Sequence, residues 1–417
     1  MNSVAVRPGE PLHGTIKVSG ATKNSGLKQL AAALLAPGVT RVRNLPKVQD
    51  LEVMIAVLEA IGAKVEWTAP DELRLDTSGT LEPEAPYELV TQMRASINVL
   101  GPLLARCGEA RVALPGGDNI GNRKLDMHFN GLNAMGAELE VSHGFVNARC
   151  NALNGARIVL EFPSVGATEN LLTAAVLAKG ETVIENAARE PEITDLAAFL
   201  NRMGAHVLGA GTSTITVEGV DELSSTDTEI MGDRIEAGTL LFACGIAGGE
   251  ILLEGVQFEN LEIVAMKLGE MGMRVSKAPE GIWAAAPERL RAVDIQTLPY
   301  PGFATDFMPM AVALLATCSG TAIVTENVFD NRFSFVDELL RMGADITTDS
   351  RHSVVRGQEG LSAAPVRALD VRAGAALLLA GLRADGETIV HDWHHVDRGY
   401  PDLPGALATL GANINRC

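Results

Sequence analysis

Apolar positions along the chain follow a pattern that recurs six times. The segments 58–65, 132–139, 200–207, 268–275, 339–346 and 407–414 each run from the end of an amphipathic stretch, through Gly62, Gly136, Gly204, Gly272, Gly343 or Gly411, into alternating polar and apolar residues such as Lys64, Val65, Glu66 and Trp67. A glycine at that place accepts the left-handed conformation that ends a helix, and the alternation after it is that of a half-buried strand. The glycines are 74, 68, 68, 71 and 68 residues apart. Ahead of each lies a second helical stretch, Ala- and Leu-rich, that runs toward Gly38, Gly108, Gly180, Gly245, Gly320 or Gly381. These stretches have almost no polar face, so they are predicted to be buried around a common axis, with the amphipathic helices facing solvent. The pattern therefore predicts six repeated α/β units of about 70 residues each.

Composition narrows the function classes. The chain has 417 residues, 47% hydrophobic and 21% charged, which is the make-up of a globular protein of several domains. A formal net charge of −18 argues against nucleic acid and anionic membrane surfaces as partners, so an anionic ligand has to be small and met by a local basic cluster. No run of apolar residues is long enough to span a bilayer, and the first residues lack the pattern of a secretory signal, so a cytoplasmic location is expected. Five scattered cysteines without a Cys-x-x-Cys spacing point to reduced thiols and no zinc site. The only close histidine pair, His394 and His395, would point apart on a strand, and no metal or other cofactor is expected.

Departures from the repeat are where chemistry is sought. Ser19 to Gly26 is a small-residue stretch with Lys23 and Asn24 leading into the first buried helix. Leu114 to His128 holds three glycines within six residues, with Asp118, Arg123, Asp126 and His128 crowded beside them. Asp306, Arg332, the pair Asp370 and Arg372, and Arg398 next to Tyr400 fall in the last two repeats. Arg372 opens an apolar helix, and Arg94 sits in the same context earlier in the chain. Arginines at the starts of buried helices in an acidic protein suggest a small polyanionic ligand.

The ordered motifs Ser19-Gly20-Ala21 with Lys23-Asn24, Met93 to Ser96, Leu114 to His128, Ser164 to Glu169, Asn186 to Glu192, Thr305-Asp306, Asn327 to Phe333, Asp370 with Arg372, and Asp397 to Tyr400 run essentially end to end. In these the chain resembles the UDP-N-acetylglucosamine 1-carboxyvinyltransferases, enolpyruvyl transferases similar in fold to EPSP synthase. The resemblance implies a two-domain inside-out α/β barrel. Three repeats would fill one domain of residues 1–20 plus 231–417, and three would fill another of residues 21–230, which carries the catalytic loop 111–128. A cleft would lie between them.

The implied reaction moves the enolpyruvyl group of phosphoenolpyruvate to the 3-hydroxyl of UDP-N-acetylglucosamine and releases phosphate, without metal or other cofactor. The resemblance places Lys23, Arg123 and Arg398 on the phosphate, and Arg332 and Arg372 on phosphoenolpyruvate and closure, with Asp370 beside them. Asn24, Arg94, Arg123, Lys124, Leu125, Asp126, Met127, His128, Ser164, Val165, Gly166, Asp306 and Val328 would surround the nucleotide sugar. Asp306 would be the base for the sugar hydroxyl.

The family's general acid is usually a cysteine at the loop tip, and here the residue is Asp118. A carboxylic acid can protonate C3 of phosphoenolpyruvate if its pKa rises above the usual value of about 3.9. Fosfomycin opens its epoxide on the family's thiolate, so a carboxylate variant is expected to resist the drug. Two further departures are Thr22, which looks like an extra residue before Lys23, and Lys124, where the family usually has proline. The runner-up reading is a relative that moves enolpyruvyl to another uridine nucleotide, such as UMP in nucleoside-antibiotic pathways. EPSP synthase itself and a catalytically silent nucleotide-sugar sensor are weaker rivals.

Overall fold

The computed structural model describes residues 2–117, Gly121 and residues 124–417. They form two compact units, one of residues 2–19, Gly121 and 232–417, the other of residues 20–117 with 124–231. Each is an inside-out α/β barrel, with three helices packed inside and three four-stranded sheets around them.

The inner helices are Leu27–Ala32, Leu100–Cys107 and Val165–Ala175 in one unit, and Arg234–Ala247, Met308–Leu315 and Val371–Gly381 in the other. Their Ala- and Leu-rich composition lets backbones approach closely with no side chain left in water. Every residue of Met308–Leu315 and of Val371–Gly381 is buried. Each leucine so enclosed stabilises the fold by about 1.5–3 kcal/mol relative to an exposed one. Gly238 shows how tight the approach is, since a Cβ there would fall 2.3 Å from the Phe307 ring.

The outer helices, among them Gln49–Ala60, Pro191–Arg202 and Glu262–Met271, bury one face and expose the other. All six repeat glycines that follow them have positive φ, from +80° at Gly343 to +107° at Gly272. The chain then turns into a hairpin such as Lys64–Ala69 with Glu72–Asp76, which pairs antiparallel with Val39–Arg43. The sheets close on distant chain segments. Thr228–Glu229 adds in parallel to Val39–Arg43, Leu12–Lys17 adds in parallel to Gly249–Glu254, and Ser3–Arg7 inserts between Thr388–His391 and Asn413–Arg416.

Three local expectations are corrected. Gly245 does not end its helix, which continues to Ala247 and turns at Gly248. A Cβ at Gly245 would come 3.3 Å from Leu290 and Leu314, so close packing explains that glycine. Gly381 is the last helical residue and the left-handed glycine comes later, at Gly386. His394 and His395 lie on a short helix, His394–Asp397, where adjacent side chains splay by less than on a strand, and their rings sit 4.1 Å apart.

Candidate active site

In the unit containing residues 232–417, the inner helices begin with charged side chains. Asp233 caps Arg234–Ala247 by accepting from the amides of Ile235 at 2.7 Å and Glu236 at 3.2 Å. Asp370 caps Val371–Gly381 in the same way, accepting from Arg372 at 2.8 Å and Ala373 at 3.0 Å. The third helix, Met308–Leu315, is preceded by the single turn Thr305–Phe307, which carries Asp306.

Arginines converge on these carboxylates. Arg372 Nε donates to Asp306 at 2.8 Å, and an Arg332 terminal nitrogen lies 3.9 Å from Asp370. The Arg372 guanidinium stands 5.1 Å from the centre of the Tyr400 ring, whose hydroxyl is 2.7 Å from Thr239. Arg234 is buried and its charge reaches Asp306. Arg332 and Arg372 are each only 3% exposed, yet Arg332 Nε and Arg372 Nη1 have no hydrogen bond of good geometry among the described residues. A buried guanidinium with an unused donor is a costly arrangement unless an acceptor arrives.

Burial pushes the Asp306 carboxyl up, but Arg372, Arg332 and Arg234 outweigh it and hold the pKa at about 2. The carboxylate is therefore ionised at neutral pH, and 37% of its side chain is accessible. Val328, on the loop after strand Thr321–Thr325, donates its amide to the buried Glu326 at 2.7 Å. Arg398 follows the helix His394–Asp397 and is half-buried.

The other unit presents different chemistry. Thr22–Gly26 forms a π-helical turn, with the amide of Gly26 donating to Ala21 O at 3.0 Å. Such a turn holds one residue more than an α-turn, and it begins at Thr22. Thr22 Oγ1 donates to Pro46 O at 2.9 Å, and Lys23 is ion-paired with the buried Asp50. The carbonyl of Asn24 accepts from Lys28 at 3.1 Å, and Lys28 lies 3.3 Å from Glu169. Glu169 also accepts from Asn98 at 2.8 Å; burial raises its pKa against the pull of Lys28.

His128, on the helix Asp126–Ala134, is 4% exposed. Its partner Asn170 has its orientation set elsewhere, because Asn170 Oδ1 accepts the Gly101 amide at 2.7 Å and Nδ2 donates to Ile97 O at 3.0 Å. The same Nδ2 lies 3.0 Å from His128 Nδ1, which must therefore accept, leaving the proton on Nε2. Burial, then the charge of Arg94, lower the imidazole pKa to about 4 against Asp126, so the ring is neutral. A Cβ at Gly166 would stand 3.6 Å from Nε2, so the ring edge faces the start of Val165–Ala175. Ser164 caps that helix, accepting from Ala167 at 3.3 Å. Leu125 is buried directly before His128's helix, and Asp126 is exposed at its first turn.

The structure thus groups Asp306, Arg332, Asp370 and Arg372 in one unit, and groups Arg94, Asp126, His128 and Ser164 to Gly166 in the other, with Lys23 and Asn24 on their own turn. Asp118 and Arg123 lie outside the described residues. Sequence reasoning missed Asp50, Asp233, Arg234, Asn170 and Glu326. The Asp233-Arg234 pair carried a usable signal, since it opens the fourth inner helix as Asp370 and Arg372 open the sixth. Among the described residues no group of three or more His, Cys, Asp or Glu side chains could hold a metal ion.

A family model for EPSP synthase (3-phosphoshikimate 1-carboxyvinyltransferase) matches residues 6–407. A UDP-N-acetylglucosamine 1-carboxyvinyltransferase of Corynebacterium jeikeium (strain K411) is 52% identical over 415 residues, covering 100% of this chain and 99% of its own. The chain belongs to the EPSP synthase family, in its UDP-N-acetylglucosamine 1-carboxyvinyltransferase branch. A second member of that branch, from Nocardia farcinica (strain IFM 10152), is 51% identical over 416 residues, 99% of this chain and 97% of its own. The solved enolpyruvyl transferase NikO from Streptomyces tendae is 26% identical with a TM-score of 0.88, covering 99% of this chain and 98% of that one. The carboxyvinyltransferase family and the inside-out barrel are those expected from the motifs. No helix among the described residues is long and apolar enough to cross a membrane.

Proposed function

We propose that this chain transfers the enolpyruvyl group of phosphoenolpyruvate to the 3-hydroxyl of UDP-N-acetylglucosamine in the cytoplasm, at the first committed step of peptidoglycan synthesis. The observation that carries the reading is the pair of buried guanidinium groups, Arg332 and Arg372, whose unused donors flank the ionised Asp306. Relatives about half identical over their full length bear that activity in their names.

In this reading Arg332 and Arg372 hold phosphoenolpyruvate, Lys23, Arg123 and Arg398 hold its phosphate, and Asp370 keeps Arg332 in place. Asn24, Arg94, Leu125, Asp126, His128, Ser164, Val165, Gly166 and Val328 hold the nucleotide sugar. Neutral His128 offers only an Nε2 donor, and the first amides of the adjoining helix have no partner within the helix, so this side suits acceptor oxygens of a nucleotide.

Asp118 delivers a proton to C3 of phosphoenolpyruvate as the sugar oxygen bonds to C2, and Asp306 takes the hydroxyl proton. Phosphate then leaves C2 and carries off the proton held on Asp306, while the Asp118 carboxylate recovers a proton from C3, which regenerates the double bond and both side chains. At a pKa of about 2 Asp306 is a weak base in the free protein. An anion bound to Arg332 and Arg372 offsets the charges that depress it and raises its basicity, so substrate binding itself activates the base.

Phosphate release from phosphoenolpyruvate, followed in parallel with UDP-N-acetylglucosamine, UMP and shikimate 3-phosphate, tests the reading. UDP-N-acetylglucosamine is expected to exceed the others in kcat/KM by at least about tenfold. Turnover with UMP or shikimate 3-phosphate alone would overturn the acceptor, and no release with any of the three would overturn the reaction.

A further inference from the structure

Glu326 stands at the end of strand Thr321–Thr325 and is 1% exposed. Its Oε2 accepts from the Thr305 hydroxyl at 2.9 Å, and its Oε1 accepts from the amides of Val328 at 2.7 Å and Phe329 at 3.0 Å. All three donors are neutral. A carboxylate bound by three donors of fixed direction has little freedom, and each bond to it is about twice as strong as one between neutral groups.

The two segments it joins are distant in sequence. Thr305 begins the single turn that carries Asp306, and Val328 lies on the loop that starts at Glu326 itself. The neighbouring Asn327 ties that loop to a third segment, its amide donating to Thr297 Oγ1 at 2.9 Å and its Nδ2 to Thr297 O at 3.1 Å. Asp306 is restrained on its other side by Arg372 at 2.8 Å. The turn Thr305–Phe307 runs directly into the helix Met308–Leu315, so Asp306 sits in a first turn whose side chains the helix's own hydrogen bonds do not aim, and its position also depends on these outside contacts.

We propose that Glu326 is a positioning residue that sets Asp306 and the Val328 loop in one frame, so that the hydroxyl to be deprotonated and the sugar that carries it are placed together. The inference rests on the enolpyruvyl-transfer reading, and it makes Thr305 the link through which Glu326 acts on the base. Thr305 and Glu326 touch no reacting atom in this account. A displacement of about 1 Å at a reacting group can cost about a hundredfold in rate.

The test compares Glu326→Ala, Glu326→Gln, Thr305→Val and Leu339→Ala. The last removes a buried side chain of the same unit, outside the site, and serves as a control for simple loss of stability. Steady-state kinetics and hydrogen exchange at the amides of Val328 and Phe329 are measured on the full chain. Glu326→Ala is expected to lower kcat by about a hundredfold, to raise KM for UDP-N-acetylglucosamine by about tenfold and to leave KM for phosphoenolpyruvate within about threefold. Thr305→Val is expected to lower kcat by about tenfold with the nucleotide-sugar KM unchanged, because the Val328 loop keeps its carboxylate.

Glu326→Gln retains an oxygen for the two amides and a nitrogen at the Thr305 hydroxyl, which can turn from donating to accepting, so it is expected to restore both constants to within about threefold of the native protein. The Val328 and Phe329 amides are expected to exchange faster in Glu326→Ala and to stay protected in the other variants. Unchanged exchange in Glu326→Ala, no rescue by glutamine, or the same kinetic loss in Leu339→Ala would each overturn the proposal. A native protein that releases no phosphate would instead overturn the reaction, and the exchange data would still decide whether Glu326 holds the loop.

Discussion

The inner helices of the two units begin differently. In residues 232–417 they open on Asp233, Asp306 and Asp370 with Arg234, Arg332 and Arg372 among them, so the buried polar groups at these helix starts are charged. In residues 20–231 the turn around Lys23 leads into the first inner helix, Arg94 opens the turn before the second and the Ser164 hydroxyl caps the third, which the neutral His128 meets from the outer helix Asp126–Ala134. An aspartate cap consumes helix amides and demands arginines nearby, which gives a dense cluster able to seize a small, highly charged anion. A serine cap and a neutral imidazole leave donors without net charge, which suits the softer, larger surface of a nucleotide sugar. The arginine cluster and the His128 edge thus differ in charge density, which suits two anionic substrates of different size.

The sharpest way to break this account concerns the proposed proton donor, Asp118. Asp118→Asn should reduce phosphate release by about two to four orders of magnitude, because an amide cannot deliver the proton. Asp118→Cys should retain turnover and become sensitive to fosfomycin, while the native protein resists it. Full activity in Asp118→Asn, or a fosfomycin adduct on native Asp118 seen by mass spectrometry, would remove Asp118 from its role.

Arg372→Met comes next. It removes one of the two buried guanidinium groups that have an unused donor and leaves Asp306 without its hydrogen-bonded arginine, and should lower kcat/KM for phosphoenolpyruvate by about two to three orders of magnitude. The same change should raise the pKa of Asp306, so an acid limb absent above about pH 5 in the native kcat/KM profile should move into view. A profile identical to the native one would mean that Asp306 is not the group titrating.

Stability should respond to pH with opposite sign at two buried groups, His128 and Glu236. His128 has a folded pKa of about 4, against 6.5 for an imidazole in the unfolded chain. Below 6.5 the unfolded chain gains a proton that the folded one refuses, so stability falls as the pH drops from about 6.5 to 4. The loss is on the order of 3 kcal/mol, and His128→Gln should flatten it in urea titrations at a series of pH values.

Glu236 behaves in the opposite sense. Burial lifts its carboxyl to about 7 from 4.5, against the Ser19 hydrogen bonds that lower it. The unfolded chain gives up this proton first, so stability is lost as the pH rises from about 4.5 to 7. Glu236→Gln should recover at most about 2 kcal/mol at about pH 8, since glutamine accepts less strongly from Ser19. A variant no more stable than the native chain under those conditions would show that ionising Glu236 costs the fold nothing and that its pKa is not raised.

Much of the fold was legible because helix ends leave a local mark. Gly62, Gly136, Gly204, Gly272, Gly343 and Gly411 all adopt the left-handed backbone their spacing implied. Gly245 misled because a glycine required by packing looks the same in sequence as one required by a turn. The histidine pair misled because period-two reasoning was applied to a segment that folds as a helix.

At the site, Arg372 was visible as a charge that opens an apolar helix, while Arg332 and Asp306 stood out as departures from the repeat and through the family resemblance. Glu326 and Asn170 were not, because their meaning lies in contacts with Thr305 and His128, which are 21 and 42 residues away in the chain. Lys23 stood out as a departure from the repeat, but its pairing with Asp50 needed the fold of the π-turn.

Calorimetric titration of UDP-N-acetylglucosamine into the native protein, Arg332→Met and His128→Ala tests the division of labour most directly. If the arginine cluster serves phosphoenolpyruvate and the His128 edge serves the nucleotide sugar, Arg332→Met keeps Kd within about threefold while losing turnover, and His128→Ala weakens binding by about tenfold or more. Loss of nucleotide-sugar binding in Arg332→Met with native affinity in His128→Ala would contradict it.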